Sequence, residues 1–333
     1  MRPGKLSDSI LKRTVLKQIK TKREEVLCGA GVGEDCAIFS CKEDEDIVTC
    51  MQEAAVAVPE DMAHLIIKSA NNLATAGAQP FAVMVTFLLP ERATEEKLKK
   101  LMESASQTAA SLGMQIAGGQ TTVSPYVLQK MAVVTAYGKV KKGEHRTTKG
   151  AKPGQDIVIS KWIGLEGTSI LAKRKGEELL TRYPAYLIEE AKDFDQYLSI
   201  LPEAEIAIKS GVSVMHDASE GGIMAALWEL ADSSGVGLTI ELKKLPIRQE
   251  TVEVCEFCNV NPYELLSGGC LIMTAEDGIS LAEALNEEGI PAVVVGKITD
   301  SNDRIILNEE EKRYLDKPKM DEIHRFYPET ISR

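Results

Sequence analysis

The chain has 333 residues, enough for two domains of ordinary size, and its 44% hydrophobic and 27% charged content is that of a folded globular protein, which excludes a disordered or fibrous chain. Its net charge of −11 repels phosphate backbones and argues against nucleic acid as a main partner, and no apolar run reaches the roughly 18–20 residues that span a bilayer. The opening residues carry no apolar signal region, and an odd number of cysteines (seven) argues against a disulfide framework, so the expectation is a cytoplasmic protein with no membrane contact.

In chain order, Ser7 is placed to cap a helix with apolar positions at Leu6, Ile10, Leu11, Val15 and Ile19. The segment Cys28-Gly29-Ala30-Gly31-Val32-Gly33-Glu34-Asp35-Cys36 is too rich in glycine for a helix interior. It reads as a loop running into a strand near Ala37–Phe39, either an ordinary turn or a backbone that approaches an anion. Ile47–Met51 reads as a short strand. Pro59-Glu60-Asp61 opens a helix, with proline in the first turn and acids at its positive end, and Gly77 stops it. Phe81–Leu88 is a buried strand ended by Pro90, and Thr94 caps a helix that runs to Gly113. A strand Met114–Ala117 leads to Gly118-Gly119-Gln120-Thr121-Thr122, read as a loop that either touches phosphate or metal or connects two strands tightly. Strand 128–140 closes the first half.

Residues 141–154 are polar, basic and punctuated by glycine and proline, which marks a domain boundary. Beyond it come a strand Asp156–Ser160 and a helix from Pro202 to Gly211. Met215-His216-Asp217-Ala218-Ser219-Glu220-Gly221-Gly222 reads as a turn feeding a helix with Ile223, Leu227 and Leu230 inward. Its backbone N–H groups could face an anion, or Asp217 or Ser219 could simply cap the helix. Strands at 237–242, 270–274, 292–299 and 304–307 surround a helix at 279–288. Cys255 and Cys258 sit one helical turn apart and read as two small buried residues rather than zinc ligands. Mixed strands and helices in both halves imply an α/β or α+β fold.

Taken together and in order, these motifs resemble the PurM superfamily, which includes aminoimidazole ribotide synthase, thiamine-phosphate kinase, selenophosphate synthetase and the hydrogenase-maturation protein HypE. The matching segments are Gly33-Glu34-Asp35-Cys36-Ala37, Asn71-Asn72-Leu73-Ala74-Thr75-Ala76-Gly77-Ala78-Gln79-Pro80, Gly118-Gly119-Gln120-Thr121 and Met215–Gly222. Ser234-Gly235-Val236-Gly237, Asn261–Gly269 and the opening Gly4-Lys5-Leu6 match too, the last pointing to the HypE branch. The resemblance covers roughly residues 4–300. It implies a two-domain fold, with an N-terminal α/β domain (1–143) forming a dimeric β-barrel, a C-terminal α/β sandwich (154–310) and a tail (311–333).

The resemblance also implies a homodimer, ATP in a groove between the domains, and magnesium held by N-terminal carboxylates. Carried over by position, nucleotide contacts fall on Gly31, Gly33, Asp35, Asn71, Asn72, Gly118, Gly119, Gln120, Thr121, Asp217, Gly221 and Gly222, and metal contacts on Asp35, Gln52, Glu53, Asn72 and Gln120. Several positions depart from the pattern. Asn72 stands where the family has aspartate, Gln120 where it has an acid or histidine, and Cys50-Met51-Gln52-Glu53 where a strand should end in aspartate. Amides keep the oxygen but lose the charge that magnesium wants. Glu53 supplies one ligand if the strand shifts by one residue. HypE also implies a C-terminal cysteine that accepts a carbamoyl group, but no cysteine follows Cys270. The function implied is a HypE-like hydrogenase maturation factor, working with a maturation partner protein, that uses ATP to activate a carbonyl or amide oxygen or to transfer phosphate. The alternatives are a non-catalytic nucleotide- or partner-binding module and a thiamine-phosphate-kinase-like enzyme.

Overall fold

The computed structural model describes residues 4–5, 8–31 and 37–326, and the chain divides into two units, Met1–His145 and Arg146–Arg333. The first unit is built on a five-stranded sheet. Its strands are β1 (Gly4–Lys5), β4 (Glu45–Ala55), β5 (Gln79–Leu89), β6 (Gln115–Val123) and β7 (Met131–Lys141), in the order β1-β6-β5-β7-β4. A separate hairpin joins β2 (Val26–Cys28) to β3 (Ile38–Phe39). The helices are α1 (Asp8–Thr14), α2 (Pro59–Thr75) and α3 (Glu95–Ser111).

Helix α2 starts at Pro59 because the Asp61 carboxylate accepts from the N–H groups of Ala57 and Val58 (2.6 and 3.0 Å). Met62, Leu65, Ile66 and Leu73 recur at helical spacing and are buried against the sheet. Helix α3 begins where Thr94 Oγ1 accepts from Lys97 N–H, and buries Leu98, Leu101, Met102 and Ala105. Both helices follow the sequence pattern. Helix α1 does not: it ends at Thr14, and Leu16–Gln18 form a separate short turn, while Leu6 and Ser7 lie outside the described residues. Strand β4 is much longer than Ile47–Met51 because all its residues pair in unbroken register with β7. Strand β7 in turn starts at Met131, since 124–130 form the connection from β6.

One face of this sheet is covered by α2 and α3. The other face carries alternate residues of every strand, and Ile47, Met51 and Leu88 on it are exposed. The sheet of one chain is therefore open, not a closed barrel.

The second unit holds a seven-stranded sheet in the order β14-β13-β10-β12-β8-β11-β9. The strands are β8 (Asp156–Ser160), β9 (Val214–Asp217), β10 (Gly237–Glu241), β11 (Leu271–Ala275), β12 (Ala292–Thr299), β13 (Arg304–Asn308) and β14 (Glu311–Tyr314). The helices are α4 (Leu165–Leu179), α5 (Ala185–Lys192), α6 (Leu201–Lys209), α7 (Gly222–Ser234), α8 (Gln249–Cys258) and α9 (Gly278–Glu287). Helix α7 buries Ile223, Leu227 and Leu230 against Ile157, Ile159, Leu238 and Ile272 on one face, and α9 packs on β8 and β12 from the other. A second core joins α4, α5 and α8, and it absorbs Cys255 and, partly buried, Cys258. Residues from Glu311 onward contribute β14 to the sheet and then a docked turn at Glu322–Phe326.

Candidate functional site

The first unit brings two of the glycine motifs together. A Cβ added to Gly29 would stand 3.0 Å from the Gln115 side-chain amide and 3.6 Å from Ala117 O. One added to Gly118 would lie 3.9 Å from the Ala37 Cβ. Both ends of the glycine-rich segment therefore flank β6, fixed there by Phe39 packing on Phe81 and Tyr137 (centroids 5.6 and 4.8 Å). Gly31 is half-buried at the start of the intervening segment, and Gly33 and Asp35 lie outside the described residues.

Gly118–Thr122 is not a loop. It forms the second half of β6, paired in parallel with β5. The register shifts by one residue between Val83 and Met84, and just beyond the shift Gly119 adopts φ +145. A Cβ on Gly119 would fall 1.8 Å from Val85 O, so the strand can approach β5 only with glycine there. Consecutive glycines in the sequence read as a turn, but the tertiary pairing uses them for a close backbone approach inside a strand.

Strand pairing fixes which candidate ligands share a face. Gln120 stands opposite Thr86, Thr86 opposite Val133, and Val133 opposite Glu53, so these residues form one transverse row on the face away from the helices. Gln120 and Glu53 are then three strand spacings apart, about 14 Å at roughly 4.8 Å per strand. Gln52, one residue from Glu53, points to the helix side. In the unbroken β4–β7 register Glu53 stands opposite Val133, on the face away from Gln52. The Cys50 thiol donates to Ser69 O (3.2 Å), which sets α2 running back along β4. Asn71 is buried on that helix and Asn72 half-buried, one turn or less beyond Ser69 and moving away from Gln52. Thr121 is buried, and Gln120 is exposed with its amide 3.4 Å from the Thr122 hydroxyl. Among the described residues no three histidine, cysteine, aspartate or glutamate side chains cluster to hold a metal. A magnesium ion needs charged oxygens converging in tight octahedral geometry. Within one chain, the described donors Gln52, Glu53, Asn72 and Gln120 do not provide that.

The second unit gives a different picture. Met215-His216-Asp217 is strand β9, not part of a turn, because each residue pairs with β11. His216 faces α7 and meets Glu229 at 3.0 Å, while Asp217 is buried on the opposite face. Neither Asp217 nor Ser219 caps α7. The N-cap is Gly221 (φ +81), and its N–H donates to the carboxylate of Asp321 at 2.6 Å. The same carboxylate accepts from Leu266 N–H (3.2 Å) and Ile323 N–H (2.8 Å). Burial pushes the Asp321 carboxyl up, against the three backbone donors. Gly222 follows at φ +68, where a Cβ would sit 2.6 Å from Tyr263 O. The Gly221-Gly222 and Leu265–Gly269 turns are thus threaded together, with the Ser267 hydroxyl accepting from Gly164 N–H (2.8 Å) and donating to Leu265 O (2.8 Å). Sequence reasoning missed Asp321, whose only local signal is an acid two residues before a buried isoleucine.

Two further buried polar features support this region. The Lys161 ammonium donates to Tyr197 O and Ser199 O (2.7 Å each) and pairs with Glu203. Cys270, beside Asp217, Lys161 and Glu203, is fully buried, and its thiol is pushed far up by burial and then by the Asp217 charge.

Comparison with known proteins now decides the family. The model of the AIR synthase related protein, N-terminal domain, matches residues 33–140, and that of the C-terminal domain matches 152–308. The chain belongs to the AIR synthase-related, PurM-like family, on its HypE-like side. Among relatives, this family member is 26% identical over 97% of its length, and 96% of the other chain, to a Methanocaldococcus jannaschii protein that is provisionally named for hydrogenase expression/formation. It is 30% identical to the carbamoyl dehydratase HypE of Rhodobacter capsulatus, over 68% of this chain and 66% of that one. Its fold matches a crystal structure of hydrogenase maturation protein HypE in complex with ATP, with a TM-score of 0.79, 19% identity and 95% of each chain covered. Among the described residues of this AIR synthase-related chain, no helix is long and apolar enough to cross a membrane.

Proposed function

We propose that this chain is a HypE-like, ATP-binding hydrogenase maturation factor that uses ATP to activate a carbonyl or amide oxygen, or to transfer phosphate, on behalf of a maturation partner protein. The observation that carries the reading is the near end-to-end match to a relative named for hydrogenase expression/formation, together with the geometry of the first unit. There Gly29 and Ala37, the two described ends of the glycine-rich segment, flank β6 where it enters Gly118–Thr121. Gly31, Gly33, Asp35, Asn71, Asn72 and Gly118–Thr121 are the nucleotide contacts we assign in domain 1–143, and Asp217, Gly221 and Gly222 those in domain 154–310. Backbone N–H groups beside glycines bind phosphate without help from a side-chain charge.

A second copy of the chain completes the first unit in this reading. The sheet face opposite α2 and α3 leaves Ile47, Met51 and Leu88 exposed, and Leu27 and Ile38 of the β2–β3 hairpin are exposed as well. Large apolar side chains exposed on one sheet face are commonly covered by a partner surface. A homodimer closing two such sheets into a barrel would cover it.

A binding module without turnover is the second reading, and the scattered, mostly uncharged donor set favours it. Titration calorimetry with ATP, with and without magnesium, tests both. Saturable binding with one site per chain supports the nucleotide assignment, and magnesium-independent binding without hydrolysis selects the binding module. Absence of ATP binding under both conditions overturns the ATP-using reading and leaves only the partner-binding form of the module.

A further inference from the structure

Asp321 closes a segment of unusual construction. Leu315 and Asp321 are buried, while Asp316, Lys317, Pro318, Lys319 and Met320 between them are all exposed. Beneath that arc lies a concavity of about 130 Å³ bounded by Gly221, Met224, Tyr263, Lys317 and Lys319. The arc has no strand or helix of its own, and between its ends an exposed ion pair of Lys319 with Glu264 (4.0 Å) ties it to the neighbouring turn. Past Asp321, Ile323 is buried in the α4–α5–α8 core, His324 meets Glu220 at 2.7 Å, and the Arg325 guanidinium donates to Asn259 O at 2.8 Å. Asp321 itself is 1% exposed, and its carboxylate binds N–H groups from two motif turns that lie 45 residues apart, at Gly221 and Leu266. Both turns are therefore held by a single side chain from near the C-terminus.

We propose that residues 316–326 form a clasp, latched by Asp321, that opens as a unit while the sheet of the second unit stays folded, and that opening hands the Gly221 and Leu266 N–H groups to a phosphate or carboxylate group of a bound ligand. The latch carboxylate and an incoming anion compete for the same donors, so the clasp restrains the α7 turn until it is displaced. The ligand half of the proposal rests on the reading that the Gly221-Gly222 turn meets a nucleotide; the opening half does not.

Native-state hydrogen exchange on the full chain tests it. The amides of Gly221, Leu266 and Ile323 are expected to exchange together, about 100-fold faster than that of Met273 in the central strand β11, because local opening precedes global unfolding. Asp321→Asn should speed those three amides about 10-fold further and leave Met273 unchanged. Exchange of the three at the Met273 rate overturns the clasp, as does an Asp321→Asn variant in which all amides accelerate alike. If that variant does not fold, the wild-type comparison alone decides. For the ligand half, inorganic phosphate should shift the Gly221 and Leu266 amide resonances, and at lower concentration in the variant. No shift in either protein overturns that half. An ATP titration without binding would refute the nucleotide reading and leave the exchange result standing.

Discussion

Glu203→Gln is the substitution whose cost follows most directly from the packing. Glu203 is 1% exposed and Lys161 7%, and the lysine's other two donors are spent on Tyr197 O and Ser199 O. Removing the glutamate charge leaves the interior ammonium with neutral oxygens only, Tyr197 O, Ser199 O and the glutamine carbonyl, in place of its paired carboxylate. Breaking one partner of a buried pair in this way costs about 3–5 kcal/mol. For a unit of this size each kcal/mol lowers Tm by about 2–4 °C, so the loss should be roughly 6–20 °C. Urea unfolding of wild type, Glu203→Gln and the double variant Lys161→Met/Glu203→Leu forms the assay. The double variant should recover most of the loss, since an apolar pair of similar volume avoids the desolvation of both charges. A single variant within about 1 kcal/mol of wild type would refute the reasoning, because it would mean the ammonium finds water.

Three further outcomes are expected. Gly119→Ala should destabilise the first unit severely or prevent its folding, since its Cβ meets Val85 O at 1.8 Å, whereas Gly143→Ala, with open space around it, should cost far less; equal effects in urea unfolding would contradict the β6 register. Burial opposes ionisation of Glu25, but hydrogen bonds from Arg23 and Lys139 outweigh it and hold the carboxyl at about 2. Its stabilising contribution is therefore fully present above the ordinary carboxylate range, near pH 4.5, and is lost as pH falls through about 2; an NMR titration of Glu25 with an ordinary midpoint would contradict the pairing. Burial pushes the Cys255 thiol up to about 12 and seals Cys270, while Cys41 is exposed, so iodoacetamide followed by mass spectrometry should find Cys41 modified well before either. Labelling of Cys255 at the rate of Cys41 would argue against the α4–α5–α8 core.

Much of the fold is legible in the sequence where one local signal fixes an element. Helices α2 and α3 announce themselves through Pro59, Thr94 and regular apolar stripes, and β8 and β12 through short β-branched runs between turn residues. The misreadings fall where tertiary pairing overrides local preference. Gly118-Gly119 mimics a turn but is a point of close strand contact with β5. Met215-His216-Asp217 is too short to show a period and becomes a strand only through β11, more than 50 residues later. The motif positions mark the family well, yet the site's electrostatics turn on geometry no motif contains. Alternation along β4 separates Gln52 from Glu53, and the α7 turn is capped by an aspartate 100 residues away, at Asp321.

The central claim is that this family member binds a nucleotide, and thermal unfolding with ATP, ADP and AMP, each with and without magnesium, tests it most directly. ATP at about 100 times its dissociation constant should add roughly 2.7 kcal/mol, a rise of about 5–11 °C, and the dispersed amide donors predict that most of this rise persists without magnesium. A melting temperature that no nucleotide moves, with or without the metal, would contradict the account.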